Sequence, residues 1–381
     1  MKNYLVSIIC ITYNHELYIA KAIDGFLTQE TNFEFEIIIG EDASTDYTRM
    51  IINKYKKLYP DKIKIITSKS NVGIQKNYMR SIKAATGKYL AFCEGDDYWI
   101  DPLKLQKQVD FLEKNRDYVF CGHNVYIKDV LTDKFLEAGY EKIVSSKEGS
   151  VVKDELLTGV PFQTASYMIR NDVLMNVEFE SFFMEFNIAD YPLGLYLLNK
   201  GNIYRFSEQM SVYNVNVKGS WTDVNTHKIS KIEKLYVDEI NLIKKYHYYF
   251  PLEKKFVDSR LHYIKEIYVP LIKFYEYIMN KKSDNLINIV DLNKNLENES
   301  NIYIFGAGNF GQKVCEILES KVAGYIDNNK SLYNKKIDEL LVYSLDKIET
   351  DSIIIICSLW ANEIEKQLIL NGYTNYYIVL I

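Results

Sequence analysis

Apolar residues in the first hundred positions fall into short continuous runs separated by stretches with helical spacing. Leu5–Ile11, Phe35–Ile39, Ile63–Ile66 and Tyr89–Cys93 read as buried strands, and Glu16–Leu27, Thr48–Leu58 and Lys76–Ala85 read as the helices between them. Alternation of this kind predicts a doubly wound α/β sheet. Such sheets bind ligands at the carboxyl ends of their strands. An amphipathic helix follows over Leu103–Leu112, then a strand over Val119–Ile127 and a second over Pro161–Arg170 with small hydroxyls on one face. Beyond residue 225 the pattern changes twice. Residues 228–282 hold 12 Lys and Arg against 7 Asp and Glu, with Ile232, Leu235, Tyr236, Ile240 and Ile243 at helical spacing. After a polar stretch over Asp291–Ser300, strands recur at 301–305, 322–326, 340–343, 352–357 and 376–380. Three segments are therefore expected: residues 1–225, a helical connecting region 226–295, and a small α/β domain 296–381.

Charge and cysteines narrow the function classes. With 46 basic and 51 acidic residues the net charge is -5, which leaves no polyelectrolyte footprint and argues against nucleic acid as a partner. Cys10, Cys93, Cys121, Cys315 and Cys357 are odd in number and scattered, as reduced core thiols are, which fits the cytoplasm. Residues 1–13 lack a basic stretch ahead of a cleavable apolar core, and no run reaches the roughly 18 apolar residues of a membrane span. The expectation is a cytoplasmic protein whose basic, aromatic helices could rest on the inner face of the cell membrane. Packing between domains is the commoner fate of such helices. Homo-oligomerisation stays open.

Candidate chemistry sits at the four strand ends. The first ends in Thr12-Tyr13-Asn14-His15, the second in Glu41-Asp42-Ala43-Ser44-Thr45-Asp46, the third leads to Asn71-Val72-Gly73, and the fourth to Glu94-Gly95-Asp96-Asp97. Three carboxylates within four positions repel by roughly 1 kcal/mol or more per close pair unless a cation or hydrogen-bond donors gather them. A hard divalent ion bridging to substrate phosphates is a common remedy. Asp46 reads equally well as an N-cap for the helix behind it.

In this order and spacing the four motifs resemble those of family-2 glycosyltransferases of the GT-A fold, a mixed sheet flanked by helices. The resemblance covers residues 1 to about 225 and implies an inverting, metal-dependent enzyme. Its donor is a nucleoside-diphosphate sugar, UDP-sugar favoured, and its acceptor a hydroxyl of a bacterial surface glycan or lipid-linked oligosaccharide. Thr12, Tyr13, Asn14, Glu41, Asp42, Asn71, Gly73 and Asn77 would line the donor pocket, with Asp42 accepting from a uracil ring N–H. Glu94 stands where the family has the first Asp of its D-x-D motif. Asp96, beside Asp97, would ligate Mn2+ or Mg2+ on the diphosphate. Asp190, at the family's E-D or G-D position, would be the catalytic base, and Thr164, Ser166 and Trp221 would face the acceptor. His123 is expected to be a satisfied strand-end histidine. The stretch Met210–Trp221 resembles the loop that closes over the diphosphate, but Asn214 and Asn216 stand where Arg and His are usual.

In the last segment a strand feeds Gly306-Ala307-Gly308-Asn309-Phe310-Gly311 and a helix, and the next strand ends in Asp327, 21 residues after Gly306. Glycines so placed let a phosphate approach helix amides, and an acidic residue at that distance suits a ribose. The segment resembles the Rossmann-like domains appended to bacterial sugar-processing enzymes, including the nucleotide-sugar-binding part of sugar acetyltransferases. Two further readings follow from these features: a nicotinamide-dependent sugar oxidoreductase working through this segment, and a noncatalytic scaffold that binds nucleotide sugars.

Overall fold

A computed structural model describes residues 3–136, 147–152, 155, 162–186, 188–220, 229–250, 254–280, 285–288, 296, 299, 301–318, 321–337 and 339–380. Two compact units divide the chain, one of residues 1–227 with 234–264 and the other of 228–233 with 265–381.

The first unit is built on a mixed sheet. Strands β1 (Val6–Thr12), β2 (Phe35–Glu41), β3 (Ile63–Thr67) and β4 (Tyr89–Phe92) alternate with helices α1 (Ile19–Leu27), α2 (Thr48–Leu58) and α3 (Ile74–Lys83), as the apolar runs predict. They pair in parallel in the order β3-β2-β1-β4. After a two-residue strand β5 (Tyr98–Trp99) and helix α4 (Lys104–Lys114) come β6 (Tyr118–Asp129), the short β7 (Lys134–Phe135) and β8 (Gly149–Ser150), then β9 (Met168–Arg170) and β10 (Asn202–Val215). The path continues β4-β9-β6-β10-β5, and β9 runs antiparallel to both neighbours. Residues of β1, β2 and β4 are buried throughout, so their sequences read as continuous apolar runs and not as alternation.

Two sequence expectations change here. The strand expected over 161–170 is confined to Met168–Arg170, because Thr164–Ser166 forms a 3-10 turn in which the Ser166 N–H reaches Gln163 O. Residues 210–215, expected in a loop, belong to β10, where Ser211–Val215 pair with Val125–Asp129. The helices Ile229–Tyr249 and Lys254–Asn280 occupy the region read as connecting. Leu242, Ile243, Tyr246 and Ile264 are buried in the first unit, which supports packing as the use of those apolar faces. Among the described residues no helix is long and apolar enough to cross a membrane. All five cysteines are buried and free.

Beneath the sheet, Trp99 is a hub. It meets Phe26 edge to face, donates Nε1–H to Ala165 O at 2.8 Å, and carries the Lys104 ammonium 4.0 Å over its ring. Lys104 is fully buried and donates to Gln108 Oε1 at 2.7 Å. Burial pushes it down to about 7, against the pull of Cys93, Cys121 and Asp101. An unfolded lysine holds its proton to about pH 10.4, so between these values the unfolded state binds more protons and unfolding free energy rises with pH. Urea titrations at pH 7 and pH 9 should therefore show Lys104→Met losing this alkaline gain relative to the parent. Equal pH slopes in both proteins would refute it.

In the second unit, β11 (Leu286–Asn288), β12 (Ile302–Phe305), β13 (Val322–Ile326), β14 (Lys336–Ile337), β15 (Leu340–Tyr343), β16 (Ile353–Ile356) and β17 (Tyr376–Leu380) form one sheet, ordered β11-β17-β16-β12-β13-β15-β14. All pairs but β14 with β15 are parallel, and an apolar cluster covers each face. The glycine turn is compact: Gly306 has φ 110°, and a Cβ on Gly311 would lie 1.9 Å from Gly306 O. Gly311→Ala is expected to cost this unit about 2 kcal/mol or more, read as a lowered urea midpoint.

Candidate active site

Loops at the carboxyl ends of β3, β2, β1 and β4 converge, and they carry the donor-side residues singled out from the sequence. Thr12 closes β1, and its backbone O accepts from Asp42 N at 3.0 Å, so the first two tips are joined directly. Asn14 adopts φ 56°, donates N–H to Ser44 Oγ at 3.0 Å and accepts from Thr45 N at 2.8 Å. Tyr13 between them is exposed. Asp46 is not the N-cap of α2, which is Tyr47; one residue earlier, it accepts Thr48 N at 3.0 Å and Glu16 N at 3.1 Å.

Both acids of the second tip are buried and engaged. Glu41 accepts from Ser44 N at 2.6 Å and from Thr67 Oγ1 at 3.3 Å, with Arg49 Nε at 3.7 Å. Asp42 accepts from Val72 N at 2.9 Å and Gly73 N at 3.0 Å, and from Ser68 Oγ and Arg80 Nη2 at 3.3 Å each. The carboxylate thus clamps the Asn71–Gly73 loop onto β2. Gly73 turns that loop at φ 87°, where Asn71 Oδ1 also meets its N–H at 3.0 Å. Asn77 is buried between Gly40 O and Arg80 Nε, at 2.8 and 2.9 Å. Its role is to hold α3 on β2. Beside these loops an open cleft of about 510 Å³ is lined by Ala43, Ser44, Arg49, Thr67, Ser68 and Lys69.

The fourth tip gathers Glu94, Asp96 and Asp97, with one oxygen from each lying within 4.8 Å of the others. Glu94 accepts the Tyr78 hydroxyl at 2.8 Å. Asp97 accepts Asn214 N at 2.8 Å, while its Oδ2 is buried without a hydrogen-bond partner. Burial, then repulsion from Asp96, pushes the carboxyls of Glu94 and Asp97 above their usual range. Both effects are relieved by a cation. Oxygen-only donors, an orphaned buried carboxylate oxygen and crowded like charge together fit a hard divalent ion. Gly95 lets this tip approach β1, since a Cβ there would lie 2.6 Å from Thr12 Oγ1. Gly95→Ala is expected to cost about 1–3 kcal/mol of stability, measured by urea unfolding.

Asp190 is the first residue of the helix Asp190–Leu198, solvent-accessible, with Oδ1 accepting Tyr191 N at 2.7 Å. The surrounding protein raises its carboxyl by desolvation although the residue is exposed at the surface, and Glu239 adds to that. Its charge is felt by Glu94, and both carboxylates act on the phenols of Tyr167 and Tyr213. The base candidate and the acidic tip therefore share one electrostatic environment although 93 positions separate Asp190 from Asp97.

On the acceptor side the outcome is mixed. Ser166 is buried and its hydroxyl donates to Gln163 O at 2.7 Å, so it stabilises the 3-10 turn. Thr164 is half-buried at the start of that turn, and Trp221 lies outside the described residues. His123 departs from the expected satisfied strand-end histidine: it lies inside β6, Nδ1 meets Asn124 O at 2.8 Å, Nε2 is buried without a hydrogen-bond partner, and burial keeps the ring neutral. Asn214 is drawn inward by the tip: besides Asp97 it reaches Asp96 O at 2.5 Å.

The structure adds residues that sequence reasoning missed, Tyr78, Arg80 and Tyr213, and draws in His15, which the sequence placed at the end of the first strand without a role. A polar signal existed for α3, since Asn77 and Ser81 sit one turn apart on its buried face. In the second unit Asp327 Oδ2 accepts Ala307 N at 3.0 Å, so the acidic residue of the expected ribose position ties down the turn that holds Gly306, Gly308 and Gly311.

Residues 7–177 match the family model described as glycosyl transferase family 2, and residues 298–379 match one described as C2185-like, N-terminal. An uncharacterized protein of Mycobacterium tuberculosis is 36% identical over 232 residues, 58% of this chain and 62% of its own length. The chain thus spans under two thirds of that relative. The Escherichia coli UDP-Glc:alpha-D-GlcNAc-diphosphoundecaprenol beta-1,3-glucosyltransferase WfaP is 31% identical over 211 residues, 55% of this chain and 76% of its own. Among solved structures, the mannosyltransferase PcManGT from Pyrobaculum calidifontis, in complex with GDP-Man and Mn2+, superposes with a TM-score of 0.50. It has 13% identity over 74% of this chain and 77% of that one, which speaks for the GT-A fold alone.

Proposed function

Because the chain belongs to glycosyl transferase family 2, we propose that it moves a sugar from a nucleoside diphosphate, UDP first among candidates, to a hydroxyl of a cell-surface glycan or its lipid-linked precursor. One observation carries the reading: carboxylate oxygens of Glu94, Asp96 and Asp97 converge within 4.8 Å at the strand ends, and Asp190 opens a helix as an accessible carboxylate. A base on one side and a diphosphate grip on the other are what single displacement with inversion requires. Asp190 takes the acceptor proton as its oxygen attacks the anomeric carbon, and the nucleoside diphosphate departs from the opposite face. Asp96, with Glu94 and Asp97 behind it, would hold Mn2+ or Mg2+. When bound, that ion offsets the charge of the leaving diphosphate. Tyr78 and Asn214 orient the carboxylates, and the Thr12, Asn14, Asp42 and Asn71 loops enclose the nucleoside.

WfaP, by its name, uses UDP-Glc and a diphosphoundecaprenol-linked acceptor. That similarity supports a hexose and a lipid-linked acceptor as the first pair to assay. The test is nucleoside diphosphate release from a panel of UDP-, GDP- and dTDP-sugars, with Mn2+, Mg2+ or chelator. Metal-dependent release from one donor class is expected. Release unaffected by chelator, or none from any donor with a lipid-linked acceptor supplied, would overturn the reading.

A further inference from the structure

We propose that His15 binds the donor's diphosphate, with its Nε2–H donating to a phosphate oxygen beside Asp96. The inference rests on the donor site proposed above and adds to it a residue from a different strand end.

The direction of the His15 ring is fixed by its loop. Asn14 turns at φ 56°, and four bonds pin the backbone around it: Asn14 N to Ser44 Oγ, Thr45 N to Asn14 Oδ1, His15 N to Thr48 Oγ1 at 2.8 Å, and Glu16 N to Asp46 Oδ2. So held, the imidazole points at the fourth tip, with Nε2 3.8 Å from Asp96 Oδ2 and both side chains only 13% exposed. Nδ1 is buried with no hydrogen-bond partner, and Nε2 is the nitrogen directed at Asp96. At 3.8 Å the ring is too far from Asp96 for a hydrogen bond, so its donor is unspent in that direction. An anionic oxygen brought to Asp96 by a shared cation would lie within its reach.

Need and supply coincide. Asn214 is consumed by Asp96 O and Asp97 Oδ1, and neither Asn214 nor Asn216 carries a positive charge to a diphosphate. Tyr78 is spent on Glu94, and Arg80 on Glu41 O, Asp42 and Asn77. A donor on the β1 loop offsets what the end of β10 lacks.

The test is binding to the full chain in Mn2+, comparing UDP with uridine by ligand-observed NMR and calorimetry. His15→Phe should weaken UDP about tenfold or more, the scale of one hydrogen bond to a charged group, with uridine unchanged. His15→Gln, which keeps an amide N–H near the Nε2 position, should recover most of the loss. His15→Asn, too short to reach, should repeat the phosphate-specific defect, so the outcome does not depend on Phe being tolerated in the loop. Unchanged UDP affinity in His15→Phe and His15→Asn, or equal losses for uridine and UDP, would overturn the assignment. A parent protein that binds none of UDP, GDP and dTDP would instead sink the functional reading, and this inference with it.

Discussion

Replacing Asp96 with Ala is expected to cut sugar transfer by about 10³-fold or more and to abolish its response to added Mn2+ or Mg2+. Each of the other two carboxylates of the tip has one oxygen already engaged. Glu94 accepts from Tyr78, and Asp97 is buried against Asn214. Asp96 faces His15 at a distance that leaves its oxygens available. A cation's Lewis-acid contribution to a departing diphosphate is several kcal/mol, and each 1.36 kcal/mol is a factor of ten. Two readouts check the prediction: diphosphate release against metal concentration, and Mn2+ binding followed by water-proton relaxation. The variant should fold normally, since the Asp96 side chain makes no hydrogen bond in the interior among the described residues. Asp97→Asn should behave differently. It removes charge from a buried group that burial already makes hard to ionise, so folding should be kept or improved while metal affinity falls. Near-parental turnover in Asp96→Ala would remove the acidic tip from the mechanism.

How far the site was legible depends on the kind of signal each residue leaves. Thr12, Asp42, Asn71 and Glu94–Asp97 follow directly from the sequence because parallel strands buried on both faces write themselves as apolar runs, and whatever ends a run must lie at the sheet's carboxyl edge. Tyr78 and Arg80 leave no such mark. They lie on α3, where an amphipathic pattern tells which face is buried but not which neighbouring tip a long side chain will reach. β10 was illegible for another reason. Its pairing with β6 is interrupted between Phe206 and Ser211, and Ser207-Glu208-Gln209 there breaks alternation, so the last residues read as a loop. The consequence was chemical as well as topological: as a strand residue Asn214 is locked inward, holding the acidic tip, whereas a loop asparagine would be free to close over a ligand. Ser166 repeats the lesson, since a hydroxyl in a 3-10 turn is satisfied by its own chain. In the second unit the glycine spacing correctly foretold a tight strand-to-helix turn, but Asp327 bonding Ala307 N could be seen only in three dimensions.

Asp190→Asn is expected to lower kcat by 10² to 10⁴, the usual worth of a positioned general base, while leaving UDP affinity within about twofold. The separation of effects follows from where the groups sit. The proposed donor side lies at the tips of β1 to β4, whereas Asp190 opens a separate helix and accepts the Tyr191 N–H of that helix. An amide at that position can still accept Tyr191 N–H, so the helix start is kept and lost rate reports lost basicity. The pH profile supplies a second check. Desolvation raises the Asp190 carboxyl above an ordinary aspartate. A general base works deprotonated, so kcat should fall as pH drops through that raised value, giving an acidic limb above the usual aspartate range of about 4. In Asp190→Asn the residual rate should lose that limb. Should the limb survive the substitution, it belongs to Glu94 or Asp97, and the base must be sought elsewhere along the cleft. Should kcat stay intact with the limb, the inverting mechanism with a carboxylate base at this position is wrong.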